Sequence, residues 1–247
     1  MFPIRDHNPS GRTPWVTWGL MAMNIVIFLS YWGDLENARV INALWYDWAM
    51  IPARIADGDG YYTLISSIFL HGGLMHVAGN MLFLWIFGDN IEDTMGHLGY
   101  LVFYLVSGVL ASLAQVVIDP GSTVPTVGAS GAIAGVMGGY LLLFPKARVD
   151  ILLILIVFFK VFPIPAWIML AVWFGMQFLG GLGSDTGGGG VAYWAHAGGF
   201  VAGLILAIPA WLARGGPAFW ERTHGQPPHP EARYTFGQSR IPKVGRK

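Results

Sequence analysis

The sequence predicts an all-α membrane protein, a bundle of six transmembrane helices with a polar cavity opening to the outer face. Hydrophobic residues make up 54% of the 247 and charged residues 11%, under half the roughly 25% charged content usual for soluble domains. The apolar residues collect in six stretches rather than in one anchor, and the mean hydropathy is +0.54. The basic residues are also segregated along the chain, as expected when alternate loops face opposite sides of a bilayer.

The six stretches fall at about 14–31, 72–91, 100–118, 130–144, 165–182 and 191–212. All but the fourth meet or approach the length that crosses ~30 Å of hydrocarbon at 1.5 Å per residue. Residues 1–13 carry Arg5, Asp6 and Arg12 and read as a cytoplasmic segment. No small-residue cleavage site follows the first span, so that span is expected to be retained. Residues 14–213 form one membrane domain. Its loops are short except for 32–71, and the tail 214–247, rich in Pro, Gly and Arg, is expected to be disordered or headgroup-facing. Residues 149–164 (VDILLILIVFFKVFPI) are apolar and β-branched but interrupted by Lys160. A seventh span there would expel the basic tail, so the segment is expected to be interfacial or re-entrant on the cytoplasmic side.

With the N-terminus inside, the inner segments hold eleven basic residues, among them Arg5, Arg12, Lys146, Arg148, Arg214 and Arg222. The outer loops hold two, Arg39 and Arg54. The positive-inside rule then places both termini in the cytoplasm, with a bacterial or archaeal plasma membrane as the expected location. The formal net charge is zero, which points to no charged partner, and no nucleic-acid partner is expected. The absence of cysteine excludes disulfides, thiolate metal sites and a cysteine nucleophile.

The short fourth span is informative because it begins at Ser130, in the run Gly128-Ala129-Ser130-Gly131, and stops at Phe144-Pro145-Lys146. Its ~22 Å of helix, anchored by Lys146 and Arg148, leaves Ser130 about 8 Å below the outer surface. The loop 119–129 must dip to reach it, and irregular backbone at that depth requires burial in protein or a water-filled cavity. His196, in Ala195-His196-Ala197-Gly198-Gly199 of the sixth span, lies at about the same 7 to 8 Å. On the second span His76 and Asn80 share a face at i and i+4, with His71 just above. Polar groups from three spans thus converge near one depth.

Small residues form a stripe on the fourth span (Gly131, Gly135, Gly139) and another on the sixth (Ala195, Gly199, Gly203). Such stripes let helix backbones approach closely in lipid, as a serine–histidine hydrogen bond would require. Each motif has a plainer reading: Gly-x-Ser-Gly as packing, His76 with Asn80 as a helix cross-link, and Trp15, Trp18, Trp45, Tyr46, Trp48, Tyr193 and Trp211 as an interfacial belt. Packing alone needs no shared depth, so the combination points to a nucleophile and its base. His71, His76 and His196 gain no carboxylate or thiolate at that depth, so neither metal nor cofactor is expected.

The segment from His71 to Met81, the run around Ser130 and the run around His196 with Gly203 together resemble the three signature segments of the rhomboid intramembrane serine proteases. They occur in the family's order on the second, fourth and sixth spans, and the resemblance covers about residues 14–213. It implies a six-span rhomboid-like bundle and a serine endopeptidase cleaving transmembrane segments of other membrane proteins near the outer face. It implies Ser130 as nucleophile, His196 as base, His76, Asn80 and the Ser130 N–H as oxyanion donors, Glu92 as a structural carboxylate, and 183–190 as a mobile cap. Two departures stand out: Ala134 occupies a position that is often aromatic and stacks on the histidine, and the Trp-Arg pair of the first outer loop is absent, though Trp45, Trp48 and Arg54 are nearby. A catalytically silent relative that binds or retains membrane proteins is the alternative, and the presence of both Ser130 and His196 argues against it.

Overall fold

The computed structural model describes residues 2–155, 158–183, 191–228 and 230–232. Its helices are α1 (Trp15–Tyr31), α2 (Ala38–Trp48), α3 (Pro52–Ala56), α4 (Thr63–Ser66), α5 (Leu74–Met95), α6 (His97–Ile118), α7 (Ser130–Leu143), α8 (Ala166–Gly183), α9 (Tyr193–Leu206), α10 (Ile208–Ala213) and α11 (Pro217–Thr223). Among the described residues four helical segments are long and apolar enough to cross a membrane, beginning at Trp15, His97, Ala166 and Tyr193. A fifth is the broken pair Thr63–Phe69 and Leu74–Met95, bent by 95°. The helix at Ser130 is shorter, at 14 residues. The protein is an integral membrane protein built as a helical bundle.

Helix α7 lies at the centre, with α5, α6 and α9 around it, and its closest partner is α9. The small residues explain that closeness. A Cβ added at Gly138, Gly199 or Gly203 would drive into backbone of the facing helix, and one at Gly131 would stand 2.6 Å from Ala111 Cβ. Gly139 has more room, its nearest neighbours being Phe103 Cζ at 3.1 Å and Ala207 Cβ at 3.4 Å. The last helical segment is interrupted at Ala207, between α9 and α10, with a proline in the first turn of α10.

Helix α1 begins after Pro14 with no side-chain cap and no acid in its first turn. Its exposed N–H groups are capped from α5. Glu92 accepts from Val16 N and Thr17 N at 2.8 Å each and from the Thr17 hydroxyl at 2.7 Å. A carboxylate at a helix N-terminus is favoured by both the orphan donors and the dipole. His97 Nδ1, 2.6 Å from Glu92 Oε1, ties the start of α6 to the same group.

The structure departs from an all-α fold. Residues 149–164, expected to be an interfacial or re-entrant segment, are a hairpin of β2 (Arg148–Leu155) and β3 (Phe158–Pro165). The N-terminal segment adds β1 (Phe2–Asp6), giving an antiparallel sheet in the order β1-β2-β3. The run is rich in β-branched and aromatic residues, and Pro163 and Pro165 disfavour a helix. Both prolines sit on β3, an edge strand, where a missing N–H is tolerated. Arg5 Nε at 2.7 Å and His7 Nε2 at 2.9 Å reach Asp150 on β2 and lock β1 in register.

One further expectation, the disordered or headgroup-facing tail, changes in part. The loop 32–71 contains α2, α3 and α4, and the tail is ordered in its first part. There α11 places the buried Phe219 ring 6.5 Å from Phe144, and Trp220 Nε1 donates to Leu142 O at 2.9 Å. The remainder of the tail, 233–247, lies outside the described residues.

Candidate active site

Ser130 is the first residue of α7, and the backbone leading to it is held from two sides. Met50 and Thr126 exchange backbone hydrogen bonds at 3.1 and 2.7 Å, Ala53 N donates to Ser122 O, and Gly128 N donates to Ser67 O. The loop before Ser130 is thus hydrogen-bonded to the segments around Met50, Ala53 and Ser67. Gly128 has φ +131°, in the range that favours glycine, and an added Cβ would meet His76 Nε2 at 2.8 Å. The glycine before the serine therefore serves both the turn into α7 and the approach of His76.

The structure brings Ser130 and His196 into contact, with Oγ and Nε2 2.7 Å apart. His196 stands one turn into α9, which starts at Tyr193 rather than at about 191. Both residues line a cavity of about 1220 Å³ together with His76 and Asn80. Asn80 is buried, and its Nδ2 donates to no protein group among the described residues. As the first residue of a helix, Ser130 also has a backbone N–H with no intrahelical acceptor. A hydroxyl bonded to an imidazole, beside an unpaired amide donor and a helix N-terminus, can attack a carbonyl and hold the resulting oxyanion.

His71 is placed differently. It is fully buried, its ring centroid is 5.0 Å from that of His76, and its backbone N and O both bond the Tyr31 hydroxyl, at 2.7 and 3.0 Å. It ties α1 to the start of α5 and does not line the cavity. Arg54, in the first outer loop, sits 4.5 Å over the Tyr46 ring and pairs with Asp59 at 2.7 Å. The expected cap, 183–190, lies outside the described residues except for its first position.

Sequence reasoning missed two residues, both on α8. Gln177 Oε1 is 2.8 Å from His196 Nδ1, and the Trp173 ring lies 5.9 Å from the imidazole at an interplanar angle of 32°. Trp173 thus stands where the position of Ala134 left an aromatic partner unaccounted for, and Ala134 itself is fully buried. A signal existed: Gln177 is the sole amide or ionisable side chain in α8, and Trp173 is one turn away at i−4.

Residues 58–212 match the model of the rhomboid domain. The chain is 35% identical over 130 residues to rhomboid protease GluP of Bacillus subtilis, covering 52% of this chain and 24% of that protein. It is 29% identical over 170 residues to RHOMBOID-like protein 5 of Arabidopsis thaliana, covering 56% and 55%, and 30% over 154 residues to the mitochondrial rhomboid protein 1 of Saccharomyces cerevisiae, covering 58% and 40%. The chain therefore spans between a quarter and just over half the length of these relatives. Because the domain match runs through more than half of the chain and takes in all three polar segments, the chain belongs to the rhomboid family.

Proposed function

We propose that this protein is an intramembrane serine endopeptidase that cleaves transmembrane segments of other membrane proteins near the outer face. The observation that carries the reading is the 2.7 Å contact between Ser130 Oγ and His196 Nε2 at a cavity that Asn80 also lines. His196 takes the Ser130 proton as Oγ attacks the scissile carbonyl. Asn80 Nδ2, His76 and the Ser130 N–H receive the oxyanion. The imidazolium then protonates the leaving amine, and water hydrolyses the acyl-enzyme by the reverse roles. No carboxylate bonds His196 among the described residues, so the pair acts as a dyad.

In the same reading six segments cross the membrane, α1, α5, α6, α7, α8 and α9 with α10, in a plasma membrane with both termini in the cytoplasm. The sheet supports placing the N-terminal segment and the end of α7 opposite Ser130 on one side of the membrane. It joins the end of α7 opposite Ser130, and an open-edged sheet is not stable within hydrocarbon. A single-span substrate reconstituted with the protein is expected to be cut by the wild type and left intact by Ser130→Ala and by His196→Ala. A fluorophosphonate adduct should map to Ser130. Undiminished cleavage by either variant would falsify the assignment.

A further inference from the structure

The dyad raises a question that Ser130 and His196 do not answer themselves. A neutral imidazole carries its proton on either nitrogen, and only the form with a bare Nε2 can accept from Ser130. The group on Nδ1 therefore decides whether the dyad works. That group is Gln177 on α8, whose Oε1 lies 2.8 Å from Nδ1. An amide oxygen accepts and cannot donate, so the contact requires a proton on Nδ1 and leaves the Nε2 lone pair facing Ser130. The other end of the amide is held too: Gln177 Nε2 points to the Trp173 carbonyl, 3.4 Å away on the preceding turn. This directs the oxygen, not the nitrogen, at His196.

We infer that Gln177 is the positioning residue of the dyad, holding His196 in the Nδ1–H tautomer, so that the dyad is competent only while α8 is seated against α9. The inference rests on the protease reading above. Helix α8 is the least buried of the four spanning helices, with 17% of its most apolar window buried against 44% for α6. It meets α9 largely through rings. Phe174 lies 4.9 Å from Phe200, and Phe178 is edge-on to Trp194 at 5.7 Å. Gly180 and Gly181 give Tyr193 and Trp194 their space; a Cβ at either would come within 2.8 Å of a ring. The amide that orients the base is thus mounted on the least buried of these helices. A displacement of α8 by one ring's width would remove both Gln177 and Trp173 from the imidazole while leaving Ser130 and His196 on the rigid α7–α9 pair.

Steady-state cleavage and fluorophosphonate labelling of the full chain in detergent test this, with Ser130→Ala run alongside. Gln177→Leu should lower kcat by roughly 10- to 100-fold, the scale seen when histidines at metal sites lose the partner of their second nitrogen. KM should not change, and Ser130 labelling should slow in parallel even without substrate. Gln177→Glu, which restores an acceptor, should recover most of the loss. Phe178→Ala, which loosens the seat without touching the dyad, should lower kcat in the wild type but add little to Gln177→Leu, because both act through one contact. Wild-type kcat in Gln177→Leu, a Glu variant as impaired as the Leu variant, or fully additive losses would overturn the inference. Should Leu at 177 prevent folding, 15N spectra of histidine-labelled wild type decide the matter: an Nε2–H tautomer for His196 overturns the proposal and an Nδ1–H tautomer supports it. Cleavage that survives in Ser130→Ala removes the protease reading itself, whereas a silent Ser130→Ala beside a fully active Gln177→Leu removes only the role of Gln177.

Discussion

Individual side chains in this protein carry several obligations at once, and Asn80 shows how they can be separated. Its Nδ2 is buried, lines the cavity and donates to nothing among the described residues. Its contribution in the proposed reaction therefore appears when an oxyanion forms. Asn80→Ala should lower kcat by about 10²-fold with little change in thermal stability. His71, five residues before His76, should behave in the opposite way, since its ring is fully buried against His76 and outside the cavity lining, and its removal leaves a void. His71→Ala should cost stability first, and a thermal melt beside a turnover assay distinguishes the two. Equal loss of turnover at both positions, with stability intact, would mean that the oxyanion assignment is wrong. Ser130, His196, His76 and Asn80 were legible in the sequence because polar groups are rare in apolar spans and their cost flags them. Gln177 carried the same signal, but nothing local says that its face of α8, shared with Trp173, turns toward α9.

At the scale of elements, the N-terminal strand β1 is the feature least visible in the sequence. Five residues have no usable periodicity, and their partner is some 145 positions away on β2. Yet β1 carries Asp6, whose Oδ2 accepts from the Tyr140 hydroxyl at 2.7 Å, so the N-terminal strand touches the helix that begins with Ser130. Burial, with the nearby Asp89 carboxyl adding to it, raises the Asp6 carboxyl from 3.8 to about 8. A carboxyl whose folded value lies above its unfolded value favours the fold at low pH. That contribution is fully present below about pH 4 and is lost as pH rises through about 8. Thermal unfolding of the wild type should thus weaken between pH 5 and pH 8 more steeply than that of Asp6→Asn, which cannot ionise. Parallel pH dependences in the two proteins would exclude Asp6 as the source. The hairpin β2–β3 was half legible: the segment was set apart from the spans by Lys160 and its prolines, but a 16-residue apolar run reads equally as strand or buried helix.

At the scale of the whole molecule, the proposed orientation rests on charge: Lys146 and Arg148 follow the end of α7 opposite Ser130, where the sheet begins and α11 packs. The chain has no cysteine, so single cysteines report topology without background. Introduced at Ser10, Asp57, Ser184 and Ser239 and probed with an impermeant maleimide in intact cells, positions 57 and 184 should label and positions 10 and 239 should not. Labelling at 239 without labelling at 184 would mean that residues 149–164 cross the membrane and that His196 approaches from the wrong side.

By itself, the sequence determined the membrane class, the approximate positions of the apolar segments and the set of polar side chains that line one cavity. Partition into lipid is close to a residue-by-residue sum, and rise per residue converts position into depth, so both can be read without knowing any contact. Tertiary structure alone decided that Glu92 caps α1, that β1 closes a sheet with β2, and that Gln177 rather than a carboxylate or a ring at position 134 faces His196 Nδ1. Each of these is a pairing between side chains or strands distant in sequence. Such pairings depend on how helices rotate and approach, which here follows from the glycine contacts between α7 and α9 and the ring contacts between α8 and α9, and no local propensity encodes that rotation.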